Sequence, residues 1–99
     1  MDAVLRTLAE PRRQEILRLI WERERSAGDI ASRVDVSFSA VSQHLARLRD
    51  VGIVHVRREG RHRFYRVDRD ALGALVPYFE SFWSERLLRL KELAEREET

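Results

Sequence analysis

Apolar residues return every three or four positions through most of this 99-residue chain, and they switch to strict alternation in one stretch only, after position 53. Val4, Leu5, Leu8 and Ala9 predict a short first helix. It should end near Glu10, because a proline disfavours helical backbone in the residue before it and Pro11 follows. Pro11 suits the opening of a second helix, whose Ile16, Leu17, Ile20 and Trp21 share one face while Arg12, Arg13 and Glu15 take the polar side. A third helix is predicted from near Ser26, with Ile30, Ala31 and Val34 inward, followed by a turn through Asp35 and Val36. No stretch reads as a flexible linker or an internal repeat, so the chain is expected to form a single domain over 1–99.

Ser37 is a good helix cap, which starts a fourth helix at Phe38. Val41, Leu45 and Leu48 cluster on its inner side, and Ser39, Gln43, Ala46, Arg47 and Asp50 lie opposite. Near its start that outer face is short and polar, so it can approach base edges closely; a glutamine amide suits adenine and a serine hydroxyl suits several bases. An ordinary solvated helix face fits the same pattern. Gly52 should stop the helix. From Ile53 to Val67 the alternation of Val54 and Val56, then of Tyr65 and Val67, with Gly60 between, predicts a β-hairpin. Arg57, Arg58, Arg61, His62 and Arg63 crowd its tip, more basic groups than the protection of an edge strand requires.

The last stretch runs Leu72, Leu75, Val76, Phe79, Phe82, Trp83, Leu87, Leu90 and Leu93 at spacings of three and four. This stripe is longer than a small domain can cover alone, which points to a helical dimerisation region over 69–96. Phe79, Phe82, Trp83, Leu87 and Leu90, with Val4, Leu5 and Leu8 of the first helix, are the expected seam, aromatic groups being frequent interface anchors. Pro77 either kinks this element or splits it. The predicted order is therefore α-α-α-α-β-β-α, a mainly helical α+β fold.

Charge separates these regions. The whole chain carries only +2. Residues 37–67 nevertheless hold seven arginines against Asp50 and Glu59, whereas residues 1–36 balance and residues 68–99 carry an acidic excess. A positive surplus confined to one helix and one hairpin is the footprint of a polyanion, and double-stranded DNA fits it. Base edges would fall to Ser39, Ala40, Ser42 and Gln43, and phosphates to Ser37, Arg47, Arg57, Arg58, Arg61, His62 and Arg63. Cysteine is absent, which removes disulfides, thiolate metal sites and a cysteine nucleophile. No apolar run approaches the roughly 20 residues of a membrane-spanning helix. The opening Met1-Asp2-Ala3-Val4-Leu5-Arg6 lacks the order of a signal peptide, so a cytoplasmic location is expected.

The run from Ala40 to Val54, AVSQHLARLRDVGIV, closely resembles the recognition helix and strand entry of ArsR-type winged helix repressors. Leu8-Ala9-Glu10-Pro11-Arg12-Arg13 with Ile16-Leu17 is similar to that family's second-helix opening, and Gly60-Arg61-His62-Arg63 with Tyr65-Arg66-Val67 to its wing. The resemblance covers almost the whole chain. It implies a winged helix-turn-helix homodimer that represses transcription from a two-fold symmetric operator. Ser26-Ala27-Gly28 stands where metal-sensing members place a Cys-x-Cys pair, and no histidine follows His62. Phe82-Trp83-Ser84-Glu85-Arg86-Leu87 resembles the C-terminal signature of a metal-independent branch.

Other readings weigh less. His44 sits one step off the core stripe and reads first as a packed, hydrogen-bonded boundary residue, with DNA contact secondary. His55, His62, Glu59, Asp68 and Asp70 lack ligand spacing, and nearby arginines oppose a cation, so neither metal nor cofactor is expected. No phosphate loop or nucleophile with base and orienting acid is present, which argues against an enzyme. A protein-interaction module fits the aromatic stripe without using the basic segment. A sensor with a small-molecule pocket near Trp21, Phe79 and Trp83 is compatible with DNA binding, though core packing explains those rings as well.

Overall fold

A computed structural model describes residues 2–80 and 93–96. Four helices come first: α1 (Asp2–Leu8), α2 (Pro11–Leu19), α3 (Ala27–Arg33) and α4 (Phe38–Asp50). Between α2 and α3 lies a two-residue strand, β1 (Arg25–Ser26); β2 (Val54–Glu59), β3 (His62–Val67) and the short α5 (Arg69–Leu72) follow α4. The three strands form an antiparallel sheet in the order β1-β3-β2. Mostly helical elements with a β-hairpin agree with the sequence expectation, and β1 is an addition to it. Two residues are too few to show alternation; they pair Arg25 with Tyr65 and Ser26 with Phe64, covering one edge of β3.

Local chemistry explains most boundaries. The Glu10 carboxylate accepts from the Arg12 amide, and Pro11 fills the first helical position, where a missing N–H costs nothing. Ser26 and Ser37 cap α3 and α4 by accepting from the Asp29 and Ala40 amides, each at 3.1 Å. At the far end of α4 the Ile53 amide donates to the Leu48 carbonyl and the Gly52 amide to Arg49. Gly52 holds φ at 82°, so this is a Schellman ending, and both apolar residues flanking it, Leu48 and Ile53, are buried. The hairpin closes on two residues, since Glu59 faces His62. Gly60 at φ 60°, with no positive φ at Arg61, gives the type II′ geometry that matches strand twist.

The core gathers Ile16, Leu17 and Ile20 of α2 and its end, Ile30, Val41, Leu45, Leu48 and Ile53, sealed by Val54, Tyr65, Val67 and Leu72. Backbone bonds from Val67 to the Ile20 carbonyl and from Asp68 to Ile53 fasten the returning strand across α2 and the exit of α4. These bonds tie the end of the hairpin to the exits of α2 and α4.

Two expectations about the C-terminal stretch are corrected. Leu8 and Phe79, assigned to a subunit seam, are interior to one chain, at 4% exposure each; Phe79 packs on Trp21 with ring centroids 6.3 Å apart. The helical stripe is also broken earlier than Pro77. Gly73, at φ 53°, ends α5, a 3-10 turn covers Gly73–Leu75, and helix resumes over 76–80. Pro77 thus stands in the first turn of a new helical segment, where its ring is tolerated. Phe82, Trp83, Leu87 and Leu90 lie outside the described residues.

Candidate nucleic-acid interface

Exposed polar and basic side chains occur on the outer side of α4 and, separately, at the hairpin tip. Ser39, Gln43, Ala46 and Arg47 are exposed on α4, while Ala40 and Ser42 are half-buried on its flanks. Ser39, Gln43 and Ala46 are small or slender, and the one bulky exposed apolar group near them is Phe38 at the start of the helix. Ser37 sits at its start, with its hydroxyl oxygen accepting from Ala40. A serine hydroxyl keeps its own O–H while accepting, so capping and donation to a phosphate are compatible.

His44 lies on the opposite flank of α4, half-buried, where its Nδ1 accepts from Arg13 Nε at 3.2 Å. Desolvation first, and then the Arg13 charge, hold its pKa below the ordinary histidine value. The ring and Arg13 thus brace α4 against α2. Arg13 also donates to the Thr7 carbonyl, and Gln14 donates to Leu8, so two side chains of α2 satisfy the last carbonyls of α1. Arg13 escaped the sequence reading because its partner is 31 residues away.

Strand register sorts the basic residues. Val54, Val56 and Arg58 share one face of β2 with Val67, Tyr65 and Arg63 opposite them on β3. Arg58 and Arg63 are thus direct cross-strand neighbours, both exposed, with Arg61 in the turn beyond. Like charges placed so are unfavourable unless an anion lies between them. Among the described residues no carboxylate pairs with Arg47, Arg58, Arg61 or Arg63. His62 stands at the same tip on the other sheet face, its ring centroid 6.1 Å from that of Phe64.

Arg57 behaves differently. Its Nε donates to both carboxylate oxygens of Glu24 at 3.1 and 3.2 Å, Nη1 donates to Glu59 at 2.8 Å, and the guanidinium lies 4.8 Å above the Phe64 ring. Glu24, in the segment before β1, is held below the usual carboxylate range chiefly by this hydrogen bond. The structure therefore brings Arg58, Arg61, His62 and Arg63 to the tip and engages Arg57, two positions from the turn, with Glu24 and Glu59. The partners are 33 residues apart, and no local spacing signals them.

Two further carboxylates are engaged by nearby groups. His55 Nε2 lies 2.7 Å from Asp68 Oδ2, and the Asp68 carboxyl is lowered first by the Ala71 amide and then by His55. Asp29 is lowered by Arg25 and then Arg33. Among the described residues no three histidine or acidic side chains gather as a metal site. No helix of the described residues is long and apolar enough to cross a membrane.

The profile of the bacterial regulatory protein, arsR family, matches residues 10–56, from the capping residue of α2 into β2. The transcriptional activator HlyU of Vibrio cholerae is 38% identical over 73 residues, covering 74% of this chain and 68% of that protein. The biofilm growth-associated repressor of Agrobacterium fabrum is 36% identical over 73 residues, covering 74% of this chain and 62% of that protein. Among solved structures, the homodimeric winged helix-turn-helix DNA-binding domain of a possible ArsR-family regulator from Mycobacterium bovis matches with a TM-score of 0.71 at 29% identity. That match covers 86% of this chain and 76% of the other.

Proposed function

This chain belongs to the arsR family of bacterial regulatory proteins, and from that premise we propose that it is a homodimeric, sequence-specific DNA-binding transcriptional regulator, without enzymatic activity. The observation that carries this reading is that one chain presents both an exposed polar helix face and three arginines crowded on a hairpin tip without acidic partners among the described residues. In it, Ser39, Ala40, Ser42 and Gln43 of α4 meet base edges in the major groove, where Gln43 supplies a paired donor and acceptor. Ser37, Arg47, Arg58, Arg61, His62 and Arg63 hold the flanking phosphates. Arg57 keeps the hairpin at a fixed angle to the helix.

Two copies related by a two-fold axis present their α4 helices to successive grooves, about one helical turn apart. Leu5 and Tyr78, 46% and 65% exposed, lie side by side with α1 and the 76–80 helix and supply the described part of the seam. Both an activator and a repressor stand among the similar proteins. Repression is the reading adopted, because blocking a promoter needs only the DNA contacts assigned above, whereas activation needs a further surface for polymerase. The absence of cysteine and of any histidine after His62 supports a metal-independent regulator.

The test is a fluorescence anisotropy titration of the DNA upstream of the protein's own gene, at two salt concentrations with competitor DNA. Specific, strongly salt-dependent binding is expected, and Arg61→Ala should weaken all duplexes alike and reduce the salt slope by about one phosphate contact. An unchanged slope would remove the hairpin from the interface.

A further inference from the structure

Phe38 belongs neither to the hydrophobic core nor to the partly buried residues packed against it. It opens α4, one helical turn before Ser42, and is 58% exposed. The usual structural use of an apolar residue at a helix start is a staple, in which the residue before the cap meets the fourth helical residue. Those two places are held here by Val36 and Val41, both packed in or against the core, so the staple is complete without Phe38. The other large exposed apolar residues among the described residues, Leu5, Tyr78 and Leu93, all belong to α1 or the C-terminal helical stretch. Phe38 is the exception, standing at the end of the helix that faces DNA, among Ser37, Ser39 and Ser42, whose small side chains do not cover it.

An aromatic ring in that position has one apolar target in a major groove otherwise lined with hydrogen-bonding groups, the C5-methyl of thymine. We propose that Phe38 is a specificity-determining residue that packs on a thymine methyl in each half-site, adding an apolar contact to the polar ones assigned to Ser39 and Gln43. The inference rests on the DNA-reading assignment above and extends it to a residue that does no hydrogen bonding. It accounts for an exposed phenylalanine that leaves the fold unsupported.

The experiment begins by enriching a duplex from a random library with the parent protein, then replaces each thymine in turn by deoxyuridine, which removes the methyl and leaves base pairing intact. In the parent, one thymine per half-site should show a loss of about fourfold in affinity, the worth of burying one methyl-sized group. Phe38→Ala, whose melting temperature should match the parent, should bind more weakly and lose nothing further on that same replacement. Phe38→Leu, which keeps an apolar side chain, should retain part of the sensitivity. Indifference of the parent to every replacement, an enriched half-site without thymine, or full sensitivity in Phe38→Ala would each overturn the assignment while leaving DNA reading intact. Failure to enrich any duplex would overturn both, and is told apart by the absence of bound DNA.

Discussion

Protonation of His44 removes the acceptor that Arg13 uses, and it places two cations 3.2 Å apart between α2 and the reading helix. Because the folded pKa is depressed, the unfolded chain binds the proton more readily as pH falls. The stabilisation from this contact is therefore fully present above the ordinary histidine pKa of about 6.5, and is lost as pH drops from there through the lower folded value. Thermal melts at pH 7.5 and pH 5 should show a larger fall for the parent than for His44→Gln, whose amide does not titrate in that range. Equal falls would mean the ring is not a titrating brace. At the same scale, Gln43→Ala should reduce affinity by an amount that depends on which base pair is presented, since a bidentate contact is worth roughly 1–3 kcal/mol of discrimination. Binding to a panel of single-base operator variants checks it; a uniform loss across the panel would assign Gln43 to the backbone instead.

The ends of α4 govern how the reading face is presented. Ser37→Ala leaves the Ala40 amide without its acceptor and should cost about 1 kcal/mol, seen as a melting temperature lower by roughly 4–8 °C for a domain of this size. Gly52→Ala meets no atom within 4 Å of the added carbon, so its penalty should come from backbone conformation alone, roughly 1–2 kcal/mol at φ 82°. A cost well above that range would indicate a steric role instead. Glu24→Gln weakens the grip on Arg57, and hairpin amides should then exchange with solvent faster while those of α2 and α4 do not. These elements also mark what the sequence alone discloses. Ser37, Gly52, Pro11 and Gly60 act on neighbours a few residues away, so the bounds of α2, α4 and the hairpin were legible in residue order. The turning of Arg57 toward Glu24 was not, because it depends on register and on a partner far along the chain. Leu8 and Phe79 show a related limit: periodic apolar residues announce that a face is covered, but whether by the same chain or by a second one is decided only in three dimensions.

For the molecule as a whole, the proposed function divides the chain between DNA contact and self-association. Along the sequence, residues 37–67 carry a positive surplus and residues 68–99 an acidic excess. In that proposal the apolar seam gives the basic surface its reach. A lone α4 covers too few base pairs for high specificity, whereas two held about a helical turn apart roughly double the binding free energy and require a matched spacing of half-sites. Leu5 tests this link, being nearly half exposed on α1 and remote from the arginine tip in the fold order. Leu5→Lys should leave the melting behaviour of each subunit close to the parent at matched monomer content, yet shift the mass seen by light scattering from two chains toward one at micromolar concentration. Operator binding should weaken in step, while binding to a single half-site stays at the parent's level. A variant that remains a dimer of unchanged dissociation constant would exclude α1 from the seam, and one that becomes a monomer yet binds the full operator as tightly would sever dimerisation from DNA reading altogether.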